Sequence, residues 1–203
     1  MTRLLIATTN PDKLREIVAI LGHLPVELLT LKDLDPVPEP EETGTTLVEN
    51  ARIKARYYDR YLEGVNGDRP MTVAEDSGLA IEALEGAPGV HSARFLRPDA
   101  SYPERFAEID RRLAAVPEAR RRARFVCAVT VVRRGAIVFE TTGMIEGEVA
   151  DSAKGTSGFG YDPIFYYPPY GRTLGEVSDE EKRRVAHRGE AFRRLAIWLE
   201  RGM

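Results

Sequence analysis

Arg3-Leu4-Leu5-Ile6-Ala7-Thr8-Thr9-Asn10-Pro11-Asp12-Lys13 joins a short apolar run to a polar turn and then to a helix start. Residues 3–7 have the make-up of a buried strand. Asn10 is a good helix cap and Pro11 suits the first helical position, where a missing N–H costs nothing. The spacing of Leu14, Ile17, Val18 and Leu21 predicts an amphipathic helix over 11–21. A strand that turns straight into a capped helix is the opening unit of an α/β domain.

The pattern continues outward from there. Residues 26–29 read as a second strand, and the Pro- and Glu-rich stretch 35–44 as an exposed loop. Residues 45–62 read as a helix with Thr46-x-x-Glu49 as its capping box. Residues 71–74 form a strand that is expected to break at Glu75-Asp76-Ser77-Gly78. A helix over 103–116 precedes two long β patterns, 124–133 and 136–149, joined as a hairpin at Arg134-Gly135. One last helix over 179–201 is expected. No repeat and no linker interrupts this order, so residues 1–203 read as a single mixed α/β domain.

Composition narrows the class. The chain has 203 residues, 43% hydrophobic and 30% charged, close to globular averages, which excludes disorder and fibrous repeats. The early apolar run 4–7 is too short for a signal peptide or a membrane span. A single cysteine, Cys127, cannot form an internal disulfide and sits in an apolar stretch as a core thiol. The net charge of -3 argues against a protein that coats nucleic acid. A cytoplasmic protein without membrane or nucleic-acid partners is expected. Five of the 29 basic residues are Lys, three residues are Asn and none is Gln. Heat adaptation and a base-composition bias explain these counts equally well.

Four segments carry chemistry, and each has a plainer reading. The start of the first helix, with free N–H groups and Lys13 nearby, suits an anion, yet also fits an ordinary capped helix with a surface lysine. Glu41, Glu42, Glu75 and Asp76 supply hard oxygen donors of the kind that suit Mg²⁺. Glu41 and Glu42 equally fit solvated loop charges. Ser157-Gly158-Phe159-Gly160-Tyr161-Asp162-Pro163 would let backbone approach a ligand with an aromatic face to stack on it, or would form a structural turn. Lys182, His187 and Arg188, on one helix, would line a ligand edge, or belong to a solvated basic face.

Together the segments carry a family pattern. Ala7-Thr-x-Asn-x-x-Lys13-x-x-Glu16, Glu41-Glu-Thr-Gly44, Glu49-Asn-Ala-x-x-Lys54-Ala and Asp76-Ser-Gly-Leu79 come first. Gly86-x-Pro-Gly-Val-x-Ser-Ala-Arg94, Gly158-Phe-Gly-Tyr-Asp-Pro163 and Lys182-x-x-x-x-His-Arg188 follow. In this order they closely resemble the inosine/xanthosine triphosphate pyrophosphatases, over nearly the whole chain. The resemblance implies a two-lobed α/β domain with a long curved mixed β-sheet flanked by helices and a nucleotide cleft between the lobes. It further implies a homodimer that needs Mg²⁺ and cleaves deaminated purine nucleoside triphosphates between the α- and β-phosphates.

On the same resemblance Asp76 is the base, and Glu41 or Glu42 with Asp76 holds the metal. Thr8, Thr9, Asn10, Lys13 and Lys54 grip phosphates, and Ser77 bonds the nucleotide nearby. Phe159 stacks on the base, with Gly160, Tyr161 and Asp162 beside it, and Lys182, His187 and Arg188 select a 6-oxo group over an amino group. The chain departs from the pattern at Thr9 (usually Gly), Glu75 (usually Asp) and Ala186 (usually Ser), and is longer than the pattern near 59–69. Two rival readings remain. A pyrophosphatase for modified pyrimidine nucleotides would differ in its base pocket, and a non-catalytic nucleotide sensor would have less need of Asp76 and the acidic loop.

Overall fold

The computed structural model describes residues 2–62, 69–115, 117 and 121–202. Strand β1 (Thr2–Ile6) leads into helix α1 (Pro11–Leu21), capped by the Asn10 side chain, which accepts from the Asp12 and Lys13 N–H groups. Then come β2 (Val26–Thr30), α2 (Leu47–Tyr61), β3 (Met71–Ile81), α3 (Tyr102–Leu113), β4 (Arg122–Arg133) and β5 (Ala136–Val149). Short strands β6 (Phe165–Tyr167) and β7 (Arg172–Thr173) precede α4 (Asp179–Val185) and α5 (His187–Gly202). The strands form one mixed sheet in the order β2-β1-β3-β4-β5-β6-β7. β1 pairs parallel with β2 (Leu4 opposite Leu28) and with β3 (Leu4 opposite Met71), whereas β6 pairs antiparallel with β5 and β7. The mixed α/β sheet expected from the sequence is therefore present.

The chain divides into two compact units. The first comprises Met1–Asp76, Cys127–Gly143 and Arg188–Met203, and the second Ser77–Val126 and Met144–His187. In the first, the two-residue period of the strands sorts side chains to opposite faces. Leu4, Ile6, Val73 and Val131 pack with Ile17 and Leu21 of α1 and Phe192, Leu195 and Leu199 of α5. Leu5, Ala74 and Val132 pack with Ala55 and Tyr58 of α2. Helices thus cover both faces of these strands. In the second unit, Leu79, Ile81, Phe125, Ile145 and Phe165 pack with Ile109 and Leu113 of α3. Among the described residues, no helix is long and apolar enough to cross a membrane.

Several expected boundaries hold and three move. The Thr46 capping box forms, with Glu49 returning a bond to the Thr46 N–H. The hairpin turn forms at Arg134 (φ 51°) and Gly135 (φ 81°), where two positive φ angles match the twist of the flanking strands. β3, however, does not break at Glu75 but runs on to Ile81, buried along nearly its whole length. Its two charges find partners inside the protein, so they do not end the strand. The expected single last helix is two: Ala186 takes an extended conformation (φ -69°, ψ 153°) between α4 and α5. α3 begins at Tyr102 and ends at Leu113; Val116, its expected last residue, lies outside the described residues, as do 63–68 of the long 59–69 segment.

Candidate active site

Two neighbouring carboxylates of β3, both in the first unit, organise the charged site. Asp76 lies at the edge of that unit and is 6% exposed; Glu75 is 4% exposed. β3 is buried along nearly its whole length, so both carboxylates are largely withdrawn from water and each needs a cation or a donor. α2 supplies these for Asp76. Its Lys54 Nζ lies 3.0 Å from Asp76 Oδ1 and 2.9 Å from Glu42 Oε1, and its Asn50 Nδ2 donates to Asp76 Oδ2 at 3.1 Å. Asn50 and Lys54 stand four residues apart and share one face of α2. The other end of the Asn50 amide accepts from the Gly44 N–H at 2.8 Å, which draws in the acidic loop.

Glu75 is served from other elements. Lys13 of α1 approaches its Oε1 at 2.9 Å and Arg188, in the first turn of α5, at 3.3 Å. Arg188 also donates to Glu16 Oε2 at 2.7 Å, one helical turn beyond Lys13 on α1. Cys127 of β4 donates its S–H to Glu75 Oε2 at 3.5 Å.

The two carboxylates titrate in opposite directions. Burial holds the Asp76 pKa above the ordinary aspartate value, and Lys54 and Lys13 only partly offset that. For Glu75 burial acts the same way but is outweighed by Lys13, Arg188 and Lys54, which push it well below the usual glutamate range. Lys54 is held above its ordinary value: burial works against its charge, but Asp76, Glu75 and Glu42 together prevail. One strand thus carries two adjacent carboxylates whose environments push their pKa values in opposite directions, as acid–base sites often do.

In the second unit, Lys182 of α4 and Asp162 form a buried pair at 2.6 Å, 3% and 2% exposed in their side chains. Asp162 Oδ2 also accepts from the Phe159 N–H at 2.7 Å, and Lys182 Nζ sits 4.6 Å from the Phe159 ring centroid. The lysine therefore fixes the loop through both its carboxylate and its aromatic ring. Tyr161 donates to the Ser92 carbonyl at 2.8 Å and meets Tyr102 edge-on. His187 stacks on Phe125, with ring centroids 4.8 Å apart.

The expected residues therefore fall into groups. Lys13, Lys54, Glu42, Asp76 and Arg188 gather in the first unit; Phe159, Gly160, Tyr161, Asp162, Lys182 and His187 belong to the second, as does the half-buried Ser77. Lys182 and Arg188 do not share a helix, because the break at Ala186 separates them. Glu41 and Thr9 are exposed, and Thr8 accepts from the Asn10 N–H at 3.3 Å. The expected free N–H groups at the start of α1 are taken: Pro11 has none, and Asn10 Oδ1 occupies those of Asp12 and Lys13. Asn50, Glu16 and Cys127 are participants that the site reading passed over. The clue for Asn50 was its rarity in this chain and its place one turn before Lys54. A cavity of about 670 Å³ in the second unit, bordered by Arg122, Arg124, Glu146 and Tyr167, contains none of the expected site residues.

The Ham1 family model matches residues 4–198. This chain belongs to the Ham1 family. It is 42% identical over 192 residues to a dITP/XTP pyrophosphatase of Geobacter sulfurreducens, covering 95% of this chain and 94% of the relative. It is 40% identical over 195 residues to a dITP/XTP pyrophosphatase of Geobacillus kaustophilus, covering 96% and 93%. Among solved Ham1 structures, that of a HAM1 protein from Coxiella burnetii superposes with a TM-score of 0.89 at 36% identity, covering 99% of this chain and 100% of the other. A nucleoside-triphosphatase / dITP/XTP pyrophosphatase from Mycobacterium abscessus gives 0.72 at 40% identity, covering 96% and 98%. A mixed sheet with flanking helices is thus the fold of this Ham1 chain and of its structural relatives.

Among the described residues, no group of three or more His, Cys, Asp or Glu side chains could hold a metal ion unaided. The donor set nonetheless fits magnesium. Mg²⁺ is bound through one or two carboxylates and completes its shell with water and substrate phosphates. Glu42 and Asp76, which share the Lys54 ammonium, are the pair of neighbouring carboxylates that could serve in that way.

Proposed function

We propose that this Ham1 protein hydrolyses deaminated purine nucleoside triphosphates (dITP, ITP, XTP and dXTP) to the monophosphate and pyrophosphate, clearing them from the nucleotide pool. The observation that carries the reading is the buried Asp76 carboxylate held between Lys54 and Asn50 beside the Glu42 loop, in a chain about 40% identical to dITP/XTP pyrophosphatases. Residues 1–203 act as one catalytic domain, in the cytoplasm and as a homodimer.

Asp76 orients a water and takes its proton as the oxygen attacks the α-phosphorus. The bond to the bridging oxygen breaks and pyrophosphate leaves. Burial raises the proton affinity of Asp76, the direction that a general base requires. Lys13 and Lys54 spread the charge of the phosphate chain, with Thr8, Thr9, Asn10 and Ser77 adding polar contacts. Glu42 and Asp76 would hold Mg²⁺, which supplies neutralisation of phosphate charge when bound. Exposed Glu41 is the weaker candidate of the two loop glutamates.

Phe159 stacks on the base without reading it, beside Gly160 and Tyr161. Lys182, its ammonium fixed by Asp162, and His187 present donors to a 6-oxo group; Arg188, paired in the first unit with Glu16 and Glu75, is assigned a donor role on the family pattern alone. An adenine amino group would bring a donor against donors. Sites built to bond one group can reject its mismatch by on the order of 10⁴.

The test is a panel of dITP, XTP, dATP, dGTP and modified pyrimidine triphosphates assayed for pyrophosphate and monophosphate. Expected are one pyrophosphate per monophosphate from dITP and XTP, and a loss of about 10²–10⁴-fold in turnover for Asp76→Asn with its fold intact. Release of inorganic phosphate, or an active Asp76→Asn enzyme, would refute the assignment.

A further inference from the structure

We infer that Asn50 is a positioning residue that fastens the acidic loop to the Asp76 carboxylate, an inference that rests on the function proposed above. Asn50 is fully buried, at 0% exposure. Its Oδ1 accepts from the Gly44 N–H at 2.8 Å and its Nδ2 donates to Asp76 Oδ2 at 3.1 Å. A main-chain N–H can only donate, so the amide oxygen must face Gly44. The NH₂ end is thereby committed to the carboxylate. Among side chains of this size, only an amide accepts at one end and donates at the other without having to take up a proton.

The loop is shaped for this contact. A Cβ on Gly44 would stand 2.6 Å from Asn50 Oδ1 and 2.7 Å from the Glu49 Cβ, so glycine alone admits the approach. Glu42 lies two residues before Gly44. The loop is therefore tied to Asp76 twice, by Glu42 through the Lys54 ammonium and by the Gly44 backbone through the Asn50 amide.

These ties differ in kind. Phosphate oxygens entering the site compete for Lys54, because its ammonium is a mobile point charge. Asn50 is neutral, buried and hydrogen-bonded at both ends, so its tie persists when the charges rearrange. It keeps Glu42 and Asp76 in register for the cation and holds the Asp76 carboxylate at a fixed angle for the water.

The test separates the two ends of the amide. In the wild-type protein the Gly44 amide is expected to be protected from hydrogen exchange. Asn50→Asp keeps an acceptor for Gly44 but turns an oxygen towards Asp76. Gly44 protection should survive, whereas kcat for dITP falls about tenfold or more with little change in KM, as expected for losing a donor to a charged group. Asn50→Ala loses both ends: Gly44 protection falls, and Mn²⁺ affinity, titrated without nucleotide, weakens about tenfold, on the scale of an outer-shell contact to a metal site.

An unprotected Gly44 amide in the wild type overturns the inference. So does loss of Gly44 protection or wild-type kcat in Asn50→Asp, or unchanged Mn²⁺ affinity in Asn50→Ala. If Asn50→Ala does not fold, the wild type and Asn50→Asp decide. A wild-type protein that protects Gly44 and binds Mn²⁺ more tightly than Asn50→Ala, but releases no pyrophosphate from dITP, would sink the proposed function and leave the clamp standing.

Discussion

Replacing Lys54 by methionine removes one positive charge from between two carboxylates while keeping most of the apolar stem. Lys54 Nζ lies 3.0 Å from Asp76 Oδ1 and 2.9 Å from Glu42 Oε1, and its side chain is 13% exposed. At the effective dielectric of a partly buried pair, each contact corresponds to about 5 kcal/mol of Coulomb attraction before desolvation. Returning the ammonium to water recovers much of this, so the net loss at pH 7.5 is expected to be about 3–5 kcal/mol. In a chain of this size that lowers the melting temperature by roughly 6–20 °C.

The pH dependence gives the sharper test. The folded pKa of Asp76 already lies above its unfolded value, so at neutral pH its charge works against folding. That cost disappears as pH falls through the folded pKa towards 3.8. Without Lys54 the folded pKa rises further and the neutral-pH cost grows. Glu75, depressed mainly by Lys13 and Arg188 against the effect of burial, loses its stabilisation at low pH in both proteins, so it largely cancels in the difference. The gap between wild type and Lys54→Met, measured by calorimetry from pH 8 to 4.5, should therefore narrow as pH falls. A gap that is constant or widens towards acid would refute the charge assignment.

Two further outcomes test the site. Glu42→Gln should raise the Mg²⁺ concentration for half-maximal turnover by about tenfold, while exposed Glu41→Gln leaves it nearly unchanged; the reverse order in a magnesium titration would exchange their roles. Arg188→Ala leaves Glu16 and Glu75 facing a gap and should destabilise the protein by about 3–5 kcal/mol in urea. It should also narrow the ratio of ITP to ATP turnover, and an unchanged ratio would confine Arg188 to bracing Glu75.

Local chemistry made much of this fold legible. Asn10-Pro11 marks the start of α1 because capping depends on a few adjacent atoms, and the same holds for Thr46 with Glu49 and for the Arg134-Gly135 turn. The failures are non-local. Glu75 and Asp76 looked like strand breakers because their cations come from residues 13, 54 and 188, far away in the chain. The break at Ala186 was invisible because nothing in its residue type opposes a helix. At the site, sequence could name Lys54, Glu42 and Asp76 but not that one ammonium serves both carboxylates. It placed Arg188 with Lys182 on spacing that the break removes. Asn50 was overlooked because its partners are a carboxylate on β3 and a backbone amide, and only the second is close in sequence.

The chain passes between its two compact units at Asp76–Ser77, Val126–Cys127, Gly143–Met144 and His187–Arg188. Neither unit is a continuous stretch of polypeptide, so no single truncation yields either one whole. A nascent chain cannot complete the first unit until its last helix has been synthesised, since Phe192, Leu195 and Leu199 fill the same core as Leu4 and Ile6. Growth from the amino end alone is therefore not enough, and removing α5 should expose the apolar face of β1 at the opposite terminus.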